Sequence, residues 1–434
     1  VVRVTDGERC EEFRERIAGD AVVDKRLRRR QAKLGVYGLM KRRFGFAPPW
    51  GSLTGIRPTR LLYANLNKGM TMDEAVHELQ RVFDVSDEKA AVLREIVQVQ
   101  QALTLPARDE IDLYVGIPFC VSRCAYCSFL SGEVGKGELL APYVEALERE
   151  IAQTIALLEE TGLRPRAFYM GGGTPTTLSA GQMDRLLTHL NQSFDLSRCA
   201  EYCIEAGRPD TIDREKLRVL LDHGCDRISV NPQSLEDSVL RAIGRRHTAA
   251  DIEKTMALAM SMGFRHVNMD LIAGLPADTP EGFRRTLDKC LSFGADNITV
   301  HTLALKKGSR ILLEGQKIPT AEEVGQMLDY SIAALRGANF HPYYLYRQKY
   351  MSGSFENIGW CISGAEGLYN IYIMEELHSI LSLGAGGSTK MVDPAAGRIE
   401  RVFHAKYPNE YITRPEKIQK NLEGFAAFYR AMRK

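Results

Sequence analysis

The sequence of 434 residues has no long apolar run and no strong excess of one charge. No stretch reaches the ~18–20 apolar residues that a membrane-spanning helix requires, so we expect no membrane span. No secretory pattern of basic, apolar and small residues opens the chain. The net charge is +2, which gives no reason to expect nucleic acid as a partner. The composition therefore predicts an ordinary globular, cytoplasmic protein.

The nine cysteines do not form the even set that a disulfide framework requires. Three of them cluster at Cys120, Cys124 and Cys127, and the other six are scattered. An odd count with one cluster indicates a reducing compartment and metal binding. A zinc site is the less favoured alternative, because no second cysteine pair and no nearby histidine would complete four ligands.

The order of predicted elements divides the chain into three parts. Residues 1–110 are expected to form a mostly helical N-terminal region. A basic run from Lys25 to Arg30 lies there, typical of a solvated helix face, with an anionic partner as the alternative. Residues 111–310 alternate between strands and helices, and residues 311–434 are expected to form a mixed C-terminal region that covers the substrate.

The alternating region predicts the fold class. Strands are expected at 112–117, 166–170, 201–206, 226–230, 265–272 and 297–303. Each strand but the last is followed by a helix, which favours a parallel sheet with right-handed crossovers. Six units are too few for a closed eightfold barrel, so we expect an α/β fold, a partial (β/α)6 TIM-like barrel. Its functional loops should follow the carboxyl ends of the strands.

The cysteine loop Cys120-x3-Cys124-x2-Cys127 directly follows the first predicted strand. Three thiolates on one short loop can ligate three irons of a [4Fe–4S] cluster. The fourth iron then has no protein ligand, and the amino and carboxylate groups of a bound molecule can chelate it. The loop therefore predicts an iron–sulfur cluster with an open coordination position.

The segment YVGIPFCVSRCAYCSF at 114–129 resembles the radical S-adenosylmethionine (SAM) superfamily. The segments at 170–178 (MGGGTPTTL) and 243–248 (IGRRHT) are similar to the oxygen-independent coproporphyrinogen III oxidase group. Segments at 49–62 and 356–376 resemble its coproporphyrinogen dehydrogenase subgroup. The resemblance implies that the three cysteines hold a [4Fe–4S] cluster and that SAM is a cofactor.

The resemblance also implies roles in SAM binding for residues at successive strand ends. These are Tyr114, Tyr126, Gly172, Gly173, Thr174, Glu205, Gln233, Arg245, Asp270 and Ala304. Within this set Arg245 is expected to pair with the methionine carboxylate, Asp270 with ribose hydroxyls, and Ala304 to leave room for adenine. Structural alternatives stay open: the glycines as a turn, the tyrosines as packing aromatics, and Arg246 in place of Arg245.

Two positions depart from the family pattern and leave the reaction open. Gly116 stands where the oxidases have a histidine, and Ser128 stands where they carry a further cysteine. The favoured function is oxidative decarboxylation of coproporphyrinogen III to protoporphyrinogen IX. Another radical reaction on a tetrapyrrole, such as methyl transfer or ring opening, is one alternative. A haem chaperone is the other, and its HNxxYW-type motif is not evident.

The favoured function implies two kinds of partner. A tetrapyrrole is the expected substrate, and an electron donor such as flavodoxin or ferredoxin would reduce the cluster. Arg57, Arg60 and Arg347 are candidates to bind the substrate carboxylates, although a surface or packing role is the favoured interpretation of each arginine.

Overall fold

The computed structural model describes residues 1–5, 10–14, 21–127, 132–306 and 308–432. The chain divides into two compact units. The smaller unit comprises Val1–Val99 with Leu345–Arg347, and the larger comprises Gln100–Tyr344 with Gln348–Lys434.

The smaller unit contains a β-hairpin and helices. The hairpin pairs β1 (Val2–Thr5) with β2 (Cys10–Phe13). The helices are α1 (Ala21–Phe44), α2 (Thr59–Leu66), α3 (Met72–Phe83) and α4 (Asp87–Ala102). The sequence pattern did not predict the hairpin, whereas α1 contains the basic run, for which a solvated helix face was the favoured interpretation. In the basic run, Arg28, Arg29 and Arg30 are exposed on α1, while the side chains of Lys25 and Arg26 lie outside the described residues.

The larger unit is built from strands and helices that follow one another along the chain. Its strands are β3 (Glu110–Ile117), β4 (Phe119–Cys120), β5 (Gly132–Glu133), β6 (Arg164–Gly172), β7 (Glu201–Gly207), β8 (Arg227–Val230), β9 (His266–Ala273), β10 (Asn297–Thr302), β11 (His341–Tyr346), β12 (Asn357–Cys361), β13 (Ile380–Leu383), β14 (Ser388–Asp393) and β15 (Arg398–Phe403). Its helices are α5 (Leu140–Thr161), α6 (Ala180–Phe194), α7 (Arg214–Asp222), α8 (Asp237–Ala242), α9 (Ala249–Met262), α10 (Pro280–Ser292), α11 (Arg310–Leu313), α12 (Ala321–Gly337), α13 (Leu368–Glu375), α14 (Pro408–Thr413) and α15 (Pro415–Met432).

One sheet of 11 strands has the order β11-β12-β10-β9-β8-β7-β6-β3-β13-β14-β15. Its centre, from β10 to β3, consists of the six predicted strands, all parallel to their neighbours. This arrangement confirms the α/β fold class. Because the strands are parallel, all their carboxyl ends meet at one edge of the sheet, which we call the carboxyl edge.

The sheet extends beyond the predicted strands on both sides. On one side β12 runs antiparallel to β10. On the other side β13 runs parallel to β3, and β14 and β15 continue antiparallel. All of these strands come from the C-terminal region. A further helix, α9, follows α8 between β8 and β9, where the sequence pattern predicted only α8.

The central strands are buried on both faces, as parallel strands between helices usually are. In β3 the side chains of Ile111, Leu113, Val115 and Ile117 on one face and of Asp112 on the other are fully buried. Rigid strands of this kind hold the residues at their ends in fixed positions. No helix in the described part of the chain combines the length and the apolar character needed to cross a membrane.

Candidate functional site

The cysteine loop follows β3 at the carboxyl edge. Cys124 is buried, Cys120 and Cys127 are half-buried, and none of the three forms a disulfide bond within the described part of the chain. The Ala125 N–H donates to the Ile243 carbonyl over 2.9 Å, and the Val134 N–H donates to the Cys120 carbonyl over 2.9 Å. These main-chain bonds hold the loop in place while the thiols stay uncrosslinked. That donor set fits an iron–sulfur cluster. Ser128 lies outside the described residues.

The glycine run at the end of β6 lies directly against this loop. A Cβ atom at Gly173 would lie 2.6 Å from the Ile117 oxygen and 2.6 Å from the Phe119 oxygen. A Cβ atom at Gly172, where φ is +96°, would lie 2.6 Å from the Tyr114 hydroxyl. No side chain fits at either position, so only glycine lets the strand end approach so closely.

Thr174 continues this contact. Its N–H donates to the Phe119 carbonyl over 2.7 Å, and its hydroxyl donates to Cys120 Sγ over 3.5 Å. Thr174 is itself buried. The segment after β6 is therefore tied to the first cysteine through both main chain and side chain.

Glu205 at the end of β7 faces the glycine run. A Cβ atom at Gly171 would lie 2.7 Å from Glu205 Cδ. The Tyr169 hydroxyl donates to Glu205 Oε1. Burial raises the pKa of Glu205 to about 7. The hydrogen bond from Tyr169 acts in the opposite direction, but burial is the larger effect. The carboxyl group can therefore take up or release a proton near neutral pH.

Three tyrosines stack beside Glu205. The Tyr169 and Tyr369 ring centroids are 4.5 Å apart with an interplanar angle of 17°. The Tyr114 ring lies 6.3 Å from Tyr169 and 6.5 Å from Tyr369. The sequence analysis singled out Tyr114 and missed the other two. Tyr169 could have been found, because it lies two residues before Gly171 and so shares its face of the strand.

Arg245 lies at the cysteine loop. Its Nη2 donates to the Tyr126 hydroxyl over 3.0 Å, and its Nη1 donates to the Asn231 carbonyl over 2.6 Å. Burial lowers the pKa of Arg245, but Tyr126 and Cys124 outweigh that effect and raise it, so the guanidinium stays charged. Arg246 is exposed. Of the two adjacent arginines, Arg245 is thus the one that meets the loop.

Gln233, which follows β8, meets Asp270 within β9. Gln233 has a left-handed φ of 67°, and its N–H donates to the Asp270 carbonyl over 2.9 Å. Among the described residues, the buried Gln233 Oε1 has no hydrogen-bond partner. A buried acceptor without a partner is rare in folded proteins, so this atom suits a ligand that donates a hydrogen bond.

The Asp270 carboxylate lies among polar side chains. Asn268 Nδ2 donates to it over 2.8 Å, and His301 Nε2 lies 3.8 Å away. Burial raises the pKa of Asp270, but His301, Asn268 and Thr299 together hold it below its usual range. Asp270 is therefore ionised at neutral pH and accepts hydrogen bonds. His301 is a further residue that the sequence analysis missed.

Two other positions complete the carboxyl edge. Ala304 follows β10 and forms a single bridge with Met351. Gly116 in β3 lies against the turn after β13, and a Cβ atom there would lie 2.8 Å from the Ala385 oxygen. The family's histidine would not fit beside this turn, which gives a physical reason for the departure at Gly116.

The structure thus brings the predicted site residues of the larger unit to one edge of one sheet. The arginines predicted for substrate carboxylates lie in the smaller unit. There Arg347 donates to the Leu53 carbonyl and lies 5.1 Å from the Trp50 ring centroid. Arg57 and Arg60 line a cavity of about 580 Å3 together with Arg29, Arg30, Lys33 and several apolar side chains.

A partial α/β barrel with a three-cysteine loop at its carboxyl edge is the arrangement expected of a radical SAM protein. Comparison with known proteins agrees with this class. The Radical SAM superfamily profile matches residues 114–290. "Oxygen-independent coproporphyrinogen-III oxidase-like protein HemZ" of Bacillus subtilis (strain 168) is 39% identical over 388 residues, which are 87% of this chain and 77% of that protein.

Two more matches have other names. "Heme chaperone HemW" of the same organism is 28% identical over 326 residues, covering 71% of this chain and 81% of that protein. The solved structure of coproporphyrinogen III oxidase (HemN) from Escherichia coli has a TM-score of 0.58 at 24% identity, covering 75% of this chain and 73% of that one. This structural match supports the α/β fold.

The chain belongs to the radical SAM superfamily. Within that superfamily it belongs to the family of oxygen-independent coproporphyrinogen III oxidase-like proteins. The resemblance in its motifs is therefore confirmed. Membership in the superfamily implies a [4Fe–4S] cluster and SAM.

Proposed function

We propose that this protein is a radical SAM enzyme that oxidatively decarboxylates two propionate groups of coproporphyrinogen III to vinyl groups, giving protoporphyrinogen IX. The observation that carries the proposal is the close approach of the glycine run of β6 to the loop that carries Cys120, Cys124 and Cys127. The substrate class rests on the oxidase-like relative that is 39% identical.

The described residues fit the two implied cofactors. Cys120, Cys124 and Cys127 would hold the cluster. SAM would be bound by Tyr114, Tyr126, Gly172, Gly173, Thr174, Glu205, Gln233, Arg245, Asp270 and Ala304. The unpartnered Gln233 Oε1 and the ionised Asp270 suit hydrogen-bond donors, and the Arg245 guanidinium suits a carboxylate.

When bound, the cluster and SAM supply a carbon radical that takes a hydrogen atom from the substrate. In the proposed reaction that hydrogen leaves the propionate carbon next to the ring. Carbon dioxide and one electron then leave, and a vinyl group remains. A one-electron acceptor must take this electron, and a donor such as flavodoxin or ferredoxin would reduce the cluster.

The side chains of this protein would prepare that chemistry. Arg245 is held by Tyr126 and the Asn231 carbonyl, so a carboxylate meets a cation that is already oriented. Glu205 can release its proton near neutral pH and then accept hydrogen bonds from a bound amino group. The stacked rings of Tyr169 and Tyr369 would exclude water from this carboxyl group.

Anaerobic incubation of the reconstituted protein with SAM, a limiting amount of dithionite, coproporphyrinogen III and an added one-electron acceptor tests the proposal. We expect 5′-deoxyadenosine together with a product that has lost two carbon dioxide molecules, measured by liquid chromatography and mass spectrometry. Cys124→Ala should form neither. Deoxyadenosine without a vinyl product would contradict the decarboxylation and favour another radical reaction on a tetrapyrrole.

A haem chaperone is the second candidate, because a relative of that name is 28% identical over 71% of this chain. This function requires haem binding without turnover. Haem binding monitored by its Soret absorption, with no deoxyadenosine in the same anaerobic assay, would support the chaperone and refute the enzyme.

A further inference from the structure

A second group of side chains of the types that can ligate a metal lies at the amino ends of the parallel strands. Cys361 is the last residue of β12 and pairs with Asn297, the first residue of β10. It therefore lies at the amino end of the parallel strands, whereas the cysteine loop lies at their carboxyl end. His341 begins β11, the neighbour of β12, and Glu366 lies in the loop before α13.

The ligand atoms of these three residues converge. All lie within 4.8 Å of one another. His341 Nε2 is 3.0 Å from Glu366 Oε1 and 3.5 Å from Cys361 Sγ. Zinc–ligand bonds of about 2.3 Å to sulfur and about 2.1 Å to nitrogen and oxygen, at tetrahedral angles, place sulfur about 3.6 Å from nitrogen and nitrogen about 3.4 Å from oxygen. The two measured distances lie within about 0.4 Å of these values, and the sulfur lies within 4.8 Å of a Glu366 carboxylate oxygen.

We propose that His341, Cys361 and Glu366 bind one zinc ion, with water as the fourth ligand. Thiolate, imidazole and carboxylate are the three side-chain groups that zinc takes in proteins. The simpler interpretation is a His341–Glu366 ion pair with Cys361 as a packing residue. An ion pair, however, does not require a sulfur atom 3.5 Å from the same imidazole nitrogen.

The loop that carries Glu366 is fixed by buried groups. Arg227 Nη2 donates to the Ala365 carbonyl over 3.0 Å and to the Glu366 carbonyl over 3.3 Å. Asn297 Nδ2 donates to the Ala365 carbonyl over 2.5 Å. Supports of this kind hold ligands in position before a metal binds.

The location predicts a structural role for the ion. It would tie together the start of β11, the end of β12 and the loop that leads into α13. Because α13 carries Tyr369, which stacks on Tyr169 at the carboxyl edge, the ion would help to hold a wall of the cofactor site. This proposal is independent of the proposed decarboxylation.

Zinc content of the full-length, cluster-reconstituted protein tests the site. After exposure to zinc chloride and dialysis, mass spectrometry of the elements should find one zinc per chain. Cys361→Ser and His341→Gln should lose the zinc and keep the iron. Cys290→Ser, which removes another buried free thiol, should keep both metals. Zinc in Cys361→Ser equal to that of the unchanged protein, or no retained zinc in either, would overturn the proposal.

X-ray absorption at the zinc edge separates this site from the cysteine loop. Zinc at the proposed site should show one sulfur neighbour and three nitrogen or oxygen neighbours. Zinc that has replaced iron at the loop would show three sulfur neighbours. The one-sulfur spectrum should persist in full-length Cys124→Ala, which cannot hold the cluster, and a spectrum dominated by sulfur would refute the assignment.

Discussion

Strand β7 carries one glutamate at its amino end and another near its carboxyl end, and the two differ in their surroundings. Glu201 at the amino end lies 3.4 Å from Arg227 Nε and accepts hydrogen bonds from the Leu368 and Tyr369 N–H groups. Glu205 at the carboxyl end has a tyrosine hydroxyl and a glycine run as neighbours. Both point to the same face, four residues apart. The amino end is built for stability, and the carboxyl end leaves groups available for a ligand.

The largest effect should come from filling the carboxyl edge. Gly173→Ala places a Cβ atom within 2.6 Å of main-chain atoms of Ile117 and Phe119, which cannot move aside without shifting the cysteine loop. We expect deoxyadenosine formation to fall at least about 100-fold, as misplaced reacting groups usually cause. Gly181→Ala is the control, because a Cβ atom there meets nothing within 4 Å. Equal activity of the two variants would contradict the assignment.

Removing the carboxylate at the amino end of β7 should instead lower stability. Glu201→Gln leaves the buried Arg227 charge without its carboxylate, which should reduce the free energy of unfolding by about 3–5 kcal/mol. Urea denaturation followed by circular dichroism measures this. Glu236→Gln, which breaks the exposed pair with Arg285, should leave the midpoint nearly unchanged. If Glu201→Gln lowers SAM affinity without any loss of stability, the contrast between the two ends fails.

A smaller effect concerns the protonation of Glu205. SAM should bind more tightly as pH rises through about 7, where this carboxyl group ionises. Tyr169→Phe removes a hydrogen bond that lowers the pKa of Glu205, so the midpoint should move up by about one pH unit. Equilibrium dialysis of SAM between pH 6 and pH 9 measures the shift. Tyr202→Phe, whose hydroxyl has no hydrogen-bond partner among the described residues, should shift nothing.

The smallest effect exposes strain at the carboxyl edge. Gln233 has a φ of 67°, a conformation that is unfavourable for a residue with a Cβ atom by about 1 kcal/mol. Gln233→Gly should therefore raise the free energy of unfolding by up to about 1 kcal/mol while SAM affinity falls. Gln233→Ala should lower the affinity similarly without the gain in stability. Tighter SAM binding by Gln233→Gly would show that this side chain is not part of the site.

Local patterns predicted the centre of the sheet well, since each of the six strands alternates with a helix. They missed α9, although Thr248 and Asp251 form a capping box at its start, a signal that sequence does show. They missed β13 because four residues in a glycine-rich context carry little information. Its assignment depends on pairing with β3, which is distant in the chain.

In the candidate site, too, contiguous motifs could be predicted and contacts between distant residues could not. The cysteine loop and the glycine run are contiguous motifs, so their spacing could be interpreted directly. Tyr369 could not be predicted, because it reaches Tyr114 and Tyr169 only through the packing of α13 against β6. Likewise, sequence alone did not separate Arg245 from Arg246. Burial and the contact with Tyr126 distinguish them.

The turn after β13 has a consequence for how the carboxyl edge near Gly116 could be altered. Beside Gly116 the space is occupied by the main-chain oxygen of Ala385 rather than by a side chain. The Tyr143 hydroxyl donates to the Gly116 carbonyl over 2.6 Å and accepts from the Ala385 N–H over 2.8 Å, which fixes both. A point mutation can exchange side chains but cannot remove main chain. Introducing a histidine at this corner would therefore require a turn of different length or path.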